Sequence, residues 1–165
     1  NISIVSSNDN SFFPRLSIKN NLEFFSSFTG EKKNKRVKNN EILSILKFLK
    51  MSDKEENLFM TLSSGEKKKI AFARALLRGS KFMLFDEVTA NLDIISKREI
   101  LSLIKSLIYE KKIEATILAT HSLDEVLSTS NRFLMIDNGS IKKEGKIDMN
   151  TNLKDLEDLF TNEVP

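Results

Sequence analysis

Cysteine is absent from the chain and histidine occurs once, as His121. The first absence excludes a disulfide scaffold and any cysteine-ligated zinc or iron–sulfur centre. The second excludes a multi-histidine metal site. No apolar run approaches the about 18 residues that a membrane span needs. Residues 1–15 have neither a basic start nor an apolar block, so they do not read as a secretory signal. Charge is nearly balanced, 26 basic against 23 acidic residues for a net +3, too slight an excess to mark a nucleic-acid surface. No nucleic-acid partner is expected. What is present is enough for a packed core: 165 residues, 40% hydrophobic and 30% charged, about one domain's worth.

The chain opens on Asn1 and in mid-pattern, with Ile2, Ile4 and Val5 reading as the end of a strand. The front of the domain is therefore expected upstream. Residues 6–16 form a polar loop ending at Phe12-Phe13-Pro14, where proline forbids a continuing ladder. Ser17 is placed to cap a helix carrying Ile18, Leu22, Phe25 and Phe28 on one face, stopped by Gly30. Residues 31–40 are polar and basic; the stretch 32–38 offers charge for an RNA or lipid contact but reads as a solvated loop between two helices, and a helix follows over 41–50 with Ile42, Ile45, Leu46 and Leu49 on one stripe. Phe24 and Phe25 are expected in the core of this helical lobe.

Beyond Leu62 strands and helices alternate. A helix is predicted over 64–78, a strand at Phe82–Phe85, a helix over 94–110 and a strand at Ala115–Ala119. The first is an unbroken apolar run, the pattern of a strand buried on two faces, and the second reads as another buried strand. Ser122 and Glu125 are spaced as a capping box for the next helix. Phe133–Ile136 and the residues from Ile141 read as a hairpin about Asp137-Asn138-Gly139, and 153–160 as a last amphipathic helix. Such alternation predicts an α/β fold with a parallel-sheet core, an α-helical subdomain and a C-terminal hairpin and helix.

Three groups of residues carry chemistry. Asp86 and Glu87 follow a buried strand directly, at the sheet edge where open α/β folds bind ligands. One carboxylate suits Mg²⁺, which keeps much of its water, and the other suits activation of an attacking water. The plainer alternative is two acids that cap a strand. Ser63-Ser64-Gly65-Glu66 opens a helix whose free N–H groups attract anions, although Ser63 and Glu66 are also spaced as a capping box. His121 ends the second strand, at the same predicted sheet edge as the two acids, where it can donate to a phosphate oxygen.

The order of these groups carries a family resemblance. Leu62-Ser63-Ser64-Gly65-Glu66 followed by Ala71-Phe72-Ala73-Arg74-Ala75-Leu76-Leu77 resembles the signature segment of ABC-type ATPases. Phe82–Glu87 resembles their Walker B strand, Thr89-Ala90-Asn91-Leu92-Asp93 their D-loop, and Thr120-His121-Ser122 their switch histidine. Phe12–Ser17 with Asn20-Asn21-Leu22 is similar to the stretch after their Q-loop. The resemblance implies a P-loop NTPase-type core in which 1–165 is a partial ATPase domain. Within it, 13–60 would be the helical subdomain, 61–148 the remaining catalytic core and 149–165 the tail.

It also implies ATP and Mg²⁺ as cofactors. Asp86 would hold the metal through water, Glu87 would polarise the attacking water, and His121 would contact the γ-phosphate. Ser63, Ser64 and Gly65, with Glu66 beside them, would meet ATP held by a second ABC ATPase subunit, with Asp93 at the dimer contact. Asn8 falls where the Q-loop glutamine belongs, sensing both Mg²⁺ and an integral membrane transporter subunit. The implied location is cytoplasmic, on the inner face of a membrane.

The sequence departs from that pattern in three ways. Asn8 stands for glutamine; Ser64 stands for glycine and Glu66 for glutamine in the signature; and no G-x-x-x-x-G-K-[ST] phosphate loop occurs among the five glycines. Without that loop the main triphosphate grip is missing, so these residues alone are expected to bind ATP poorly. Two other classes compete with a transporter subunit. One is a soluble, non-transporting ABC ATPase of the translation or DNA-repair type, and the other is a non-enzymatic remnant that lends its signature to an intact partner. The compact lobe and short tail favour the transporter.

Overall fold

Two strands in parallel, β1 (Ile2–Ser6) and β2 (Phe82–Asp86), anchor the fold, with Ile2 opposite Phe82 and Ser6 opposite Asp86. The computed structural model describes residues 2–7, 9–28, 35–148 and 150–161. Among these the chain divides into two compact units, Asn1–Ile117 and Leu118–Pro165.

In the first unit β1 is followed by helices α1 (Ile18–Ser26), α2 (Lys35–Phe48) and α3 (Ser64–Leu77), with two short 3-10 turns at Ser52–Lys54 and Phe59–Thr61 between the last two. After β2 comes α4 (Ile94–Tyr109). Strand β3 (Ala115–Ala119) runs across the boundary of the two units, and the sheet order is β1-β2-β3. A helix between parallel strands is the connection that such a sheet requires.

The core lies on one face of β1 and β2. Val5, Met83 and Phe85 are buried, and the Phe85 ring stacks on Phe72 of α3 with centroids 4.9 Å apart. Ile70, Ala73 and Leu77 line the buried face of α3, as their spacing predicts. Ile100, Ile104 and Leu107 do the same for α4, and Ile42, Leu46 and Leu49 for the α2 region. A buried aliphatic side chain of this kind contributes about 1.5–3 kcal/mol.

Several local expectations hold. Ser17 caps α1, its side chain accepting from the Asn20 N–H. The second unit holds the predicted hairpin, β4 (Arg132–Asp137) antiparallel to β5 (Ser140–Lys146). Asn138 and Gly139 turn it with φ of 48° and 73°, the two positive values that a primed turn requires. The same unit contains α5 (Leu123–Thr129) and α6 (Leu153–Thr161), which pack on each other, with Leu156 fully buried.

Others are corrected. Helix α2 starts at Lys35, so residues 35–40 are helical and not loop. Lys and Arg are good helix formers, and these turns are polar enough to be helical without an apolar stripe. Gly30 lies outside the described residues. The strands are not buried on both faces: Ile2, Ile4, Phe82 and Ile117 are exposed, because successive side chains alternate and the face carrying them is open. Phe24 is 41% exposed and lies at the edge of an aromatic cluster, while Phe12, stacked on Phe59 at 4.6 Å, holds its centre. No helix among the described residues is long and apolar enough to cross a membrane.

Candidate functional site

Asp86 closes β2 with an exposed side chain, and its carbonyl accepts a hydrogen bond of 2.9 Å from the Ser7 N–H. The chain then turns sharply. Glu87 takes a φ of 48° and Asn91 a φ of 61°, both in the left-handed region. That conformation costs about 1–2 kcal/mol for a residue with a Cβ. The turn is held by the Ala90 N–H on the Glu87 carbonyl at 3.0 Å and by burial of Val88 and Thr89 beneath it. Asp86 and Glu87 therefore stand at the carboxyl end of a parallel strand, one on the strand and one on a strained corner.

Ser63 is the N-cap of α3, and its capping box with Glu66 is complete. The Glu66 carboxylate accepts from the Ser63 N–H at 2.9 Å, and the Ser63 hydroxyl accepts from the Glu66 N–H at 3.3 Å. Glu66 is further engaged by the Lys54 ammonium. The Lys54 hydrogen bond first, and the Ser63 N–H second, hold the Glu66 carboxyl below its ordinary range. Ser64 opens the helix on the surface, and Gly65 is buried against the first turn of α4. Asp93 caps α4, accepting from the N–H groups of Ile95 and Ser96 and from the Ser96 hydroxyl. The hydroxyl bond is the main reason its carboxyl is held low.

Two cations of α3 were not legible in the sequence as anything but surface charge. Lys68 is 8% exposed, and its ammonium donates to the carbonyls of Ser6, at 2.9 Å, and Ser7. Burial pushes its pKa down, against the opposing pull of Asp9. Arg74 pairs with Asp9 at 2.5 Å, also donates to Ser11, and lies over the rings of Phe12 and Phe25. Burial works to raise the Asp9 carboxyl, but the Ser11 hydrogen bond and the Arg74 charge outweigh it and hold it low. The sequence offers no signal for Lys68, one of three consecutive lysines, whereas Arg74 stands among the apolar residues Phe72, Ala73, Ala75 and Leu76. Asn8 lies outside the described residues.

In the second unit His121 is exposed, two residues beyond the end of β3. The expected Ser122–Glu125 capping box does not form: Ser122 sits at the N-cap without a side-chain capping bond. Thr120 engages Glu125 instead. Its hydroxyl donates to the buried Glu125 carboxylate at 2.8 Å and accepts from the Ser122 N–H at 3.1 Å, so His121 is bracketed by a fixed turn. Among the described residues no group of three or more His, Cys, Asp or Glu side chains is arranged to hold a metal. Mg²⁺ needs no such cage, since one or two carboxylates with waters and phosphate oxygens suffice. The exposed Asp86 carboxylate fits that requirement.

A family profile described as ABC transporter matches residues 1–90, more than half of the chain. The chain belongs to the ABC transporter family. Its ABC relatives include the molybdenum import ATP-binding protein ModC of Photorhabdus laumondii, 34% identical over 140 residues, which cover 85% of this chain and 37% of that protein. ModC of Escherichia coli K12 is 40% identical over 88 residues, 53% of this chain and 25% of that protein. The chain thus spans little more than a third, or less, of these curated ABC relatives. Among solved structures, cbiO1 from Clostridium perfringens, described as part of the ABC transporter complex cbiONQ, superposes with a TM-score of 0.79 at 27% identity. That match covers 88% of this chain and 57% of cbiO1, and it shows the ABC ATPase fold.

Proposed function

We propose that this chain is part of the ATP-hydrolysing subunit of an ABC transporter, in which ATP-driven closure of two such subunits is coupled to transport. The observation that carries the reading is the corner at the carboxyl end of β2. Asp86 ends the strand and Glu87 is held at a φ of 48°, a strain that functional sites retain. In this reading 13–60 forms the helical subdomain, 61–148 the catalytic remainder and 149–165 the tail.

Asp86 would hold Mg²⁺ through water; when bound, the ion neutralises charge on the phosphates. Glu87 accepts a proton from, and orients, the attacking water. His121 donates to the γ-phosphate. Ser64 and Gly65 offer their N–H groups at the N-terminus of α3, and Ser63 its hydroxyl, to ATP on the second subunit, a site to which a helix N-terminus contributes positive potential. The capping box and Lys54 turn the Glu66 carboxylate back onto its own helix, which supports an acid being tolerated beside a triphosphate. Asp93 would lie at the subunit contact and Asn8 would report on the metal and the membrane partner. The subunit would work on the cytoplasmic face of the membrane. These residues alone, without a phosphate loop, would bind ATP poorly and not turn it over.

In an intact, hydrolysing form of the protein, Glu87→Gln is expected to keep ATP binding, stabilise the closed dimer and lower turnover by about a hundredfold or more. Turnover near the wild-type rate would show that the base is misassigned.

A further inference from the structure

We infer that Lys68 is a positioning residue for the Asp86–Glu87 corner, acting through the Ser6–Ser7 peptide; the inference rests on the reading above. The Ser6–Ser7 peptide is held from both sides. Its N–H, that of Ser7, donates to the Asp86 carbonyl at 2.9 Å, and its carbonyl, that of Ser6, accepts from the Lys68 ammonium at 2.9 Å; the same ammonium also binds the Ser7 carbonyl. Ser6 is itself the strand partner of Asp86. One buried cation on the signature helix therefore fixes the end of β1, and the end of β1 fixes the backbone from which the metal-binding acid projects.

Packing alone does not account for a lysine here. The ammonium of a lysine that is only 8% exposed is costly to remove from water, and a methionine would fill the same space without that cost. What the ammonium adds is charge-assisted bonding to two consecutive carbonyls at the end of the strand. The same helix holds the far side of the loop through Arg74 on Asp9 and Ser11. The neighbouring charge that faces Lys68 is Asp9, and it favours the charged amine.

The test compares Lys68→Met, which keeps the aliphatic stem, with Lys68→Arg, which restores a cation, and with Lys68→Gln, which keeps a donor and serves if the methionine variant does not fold. The first readout is amide hydrogen exchange without metal or nucleotide. Exchange at the Ser7 N–H is expected to speed up about tenfold in Lys68→Met relative to amides in the middle of α4, with recovery in Lys68→Arg. The second readout, in the intact hydrolysing protein, is the Mg²⁺ concentration for half-maximal turnover, expected to rise severalfold, about as far as one lost charge-assisted bond allows.

Unchanged exchange at Ser7, or a change shared equally by α4, would overturn the inference. So would faster Ser7 exchange with an unchanged Mg²⁺ requirement while Glu87→Gln is inactive; Lys68 would then be a purely structural residue and the functional reading would stand. An active Glu87→Gln would remove the reading and this inference together.

Discussion

Gly65 of the signature helix lies so close to Ser96 of α4 that a Cβ at position 65 would stand 3.0 Å from the Ser96 hydroxyl oxygen and 3.1 Å from its Cβ. The hydroxyl is not free to swing away, because it donates to the Asp93 carboxylate at 2.6 Å. The glycine of the signature and the aspartate of the D-loop are thus joined within one chain through a single serine.

Substituting Gly65 by alanine sets two effects against each other. Alanine in a helix is normally favoured over glycine by about 1 kcal/mol. Forcing a methyl into a packed contact costs about 1–3 kcal/mol. The tight contact and the tethered hydroxyl make the second effect larger, so Gly65→Ala is expected to destabilise by about 1 kcal/mol in urea unfolding. Ser96→Gly removes the obstacle, and in the double variant the alanine should cost less than it does alone. Strict additivity of the two changes would rule out the contact as the cause.

The Asp9–Arg74 pair gives a pH dependence whose sign is fixed. Asp9 titrates below its ordinary 3.8 in the folded chain. A carboxyl depressed on folding contributes stability above the unfolded pKa and loses it as pH falls through the folded one. Both side chains are largely buried, at 13% and 14% exposure, so solvent screening is modest. Asp9→Asn is expected to cost about 2 kcal/mol near neutrality. The gap between variant and wild type should stay constant down to mildly acid pH and then shrink below 3.8. Glu66 and Asp93 are also depressed, but they titrate in both proteins and cancel from the difference. A gap that persists undiminished in acid would mean that the carboxylate charge is not what Arg74 responds to.

Local chemistry at fixed spacing was legible in the sequence: the Ser17 cap, the Ser63–Glu66 box and the Asn138-Gly139 turn each rest on residues within about four positions of one another. What escaped depends on partners distant in the chain. Lys68 is one of three consecutive lysines, and only the end of β1, about sixty residues earlier, makes it the buried one. Ser122 is spaced from Glu125 as a capping serine, but the buried Glu125 carboxylate accepts the Thr120 hydroxyl, a partner outside the box. The open face of β1 and β2 was hidden because Phe82-Met83-Leu84-Phe85 is apolar on both sides of the pleat, so periodicity does not say which side is covered.

The strain at Glu87 can be measured apart from its chemistry. Replacing it with glycine or with alanine removes the carboxylate equally, and with it the part in hydrolysis proposed above. The two variants differ in how they bear a φ of 48°. Alanine keeps the Cβ that makes this region unfavourable, whereas glycine populates it freely. Glu87→Gly is therefore expected to be more stable than Glu87→Ala by about 1 kcal/mol in denaturant unfolding, after allowing for the greater unfolded-state entropy of glycine. If the two are equally stable, the corner is relaxed in solution, and Glu87 is not held there against a backbone preference. If glycine is the more stable, the chain carries at Glu87 a residue that its own backbone disfavours, which is the pattern expected where a side chain is kept for what it does rather than for how it folds.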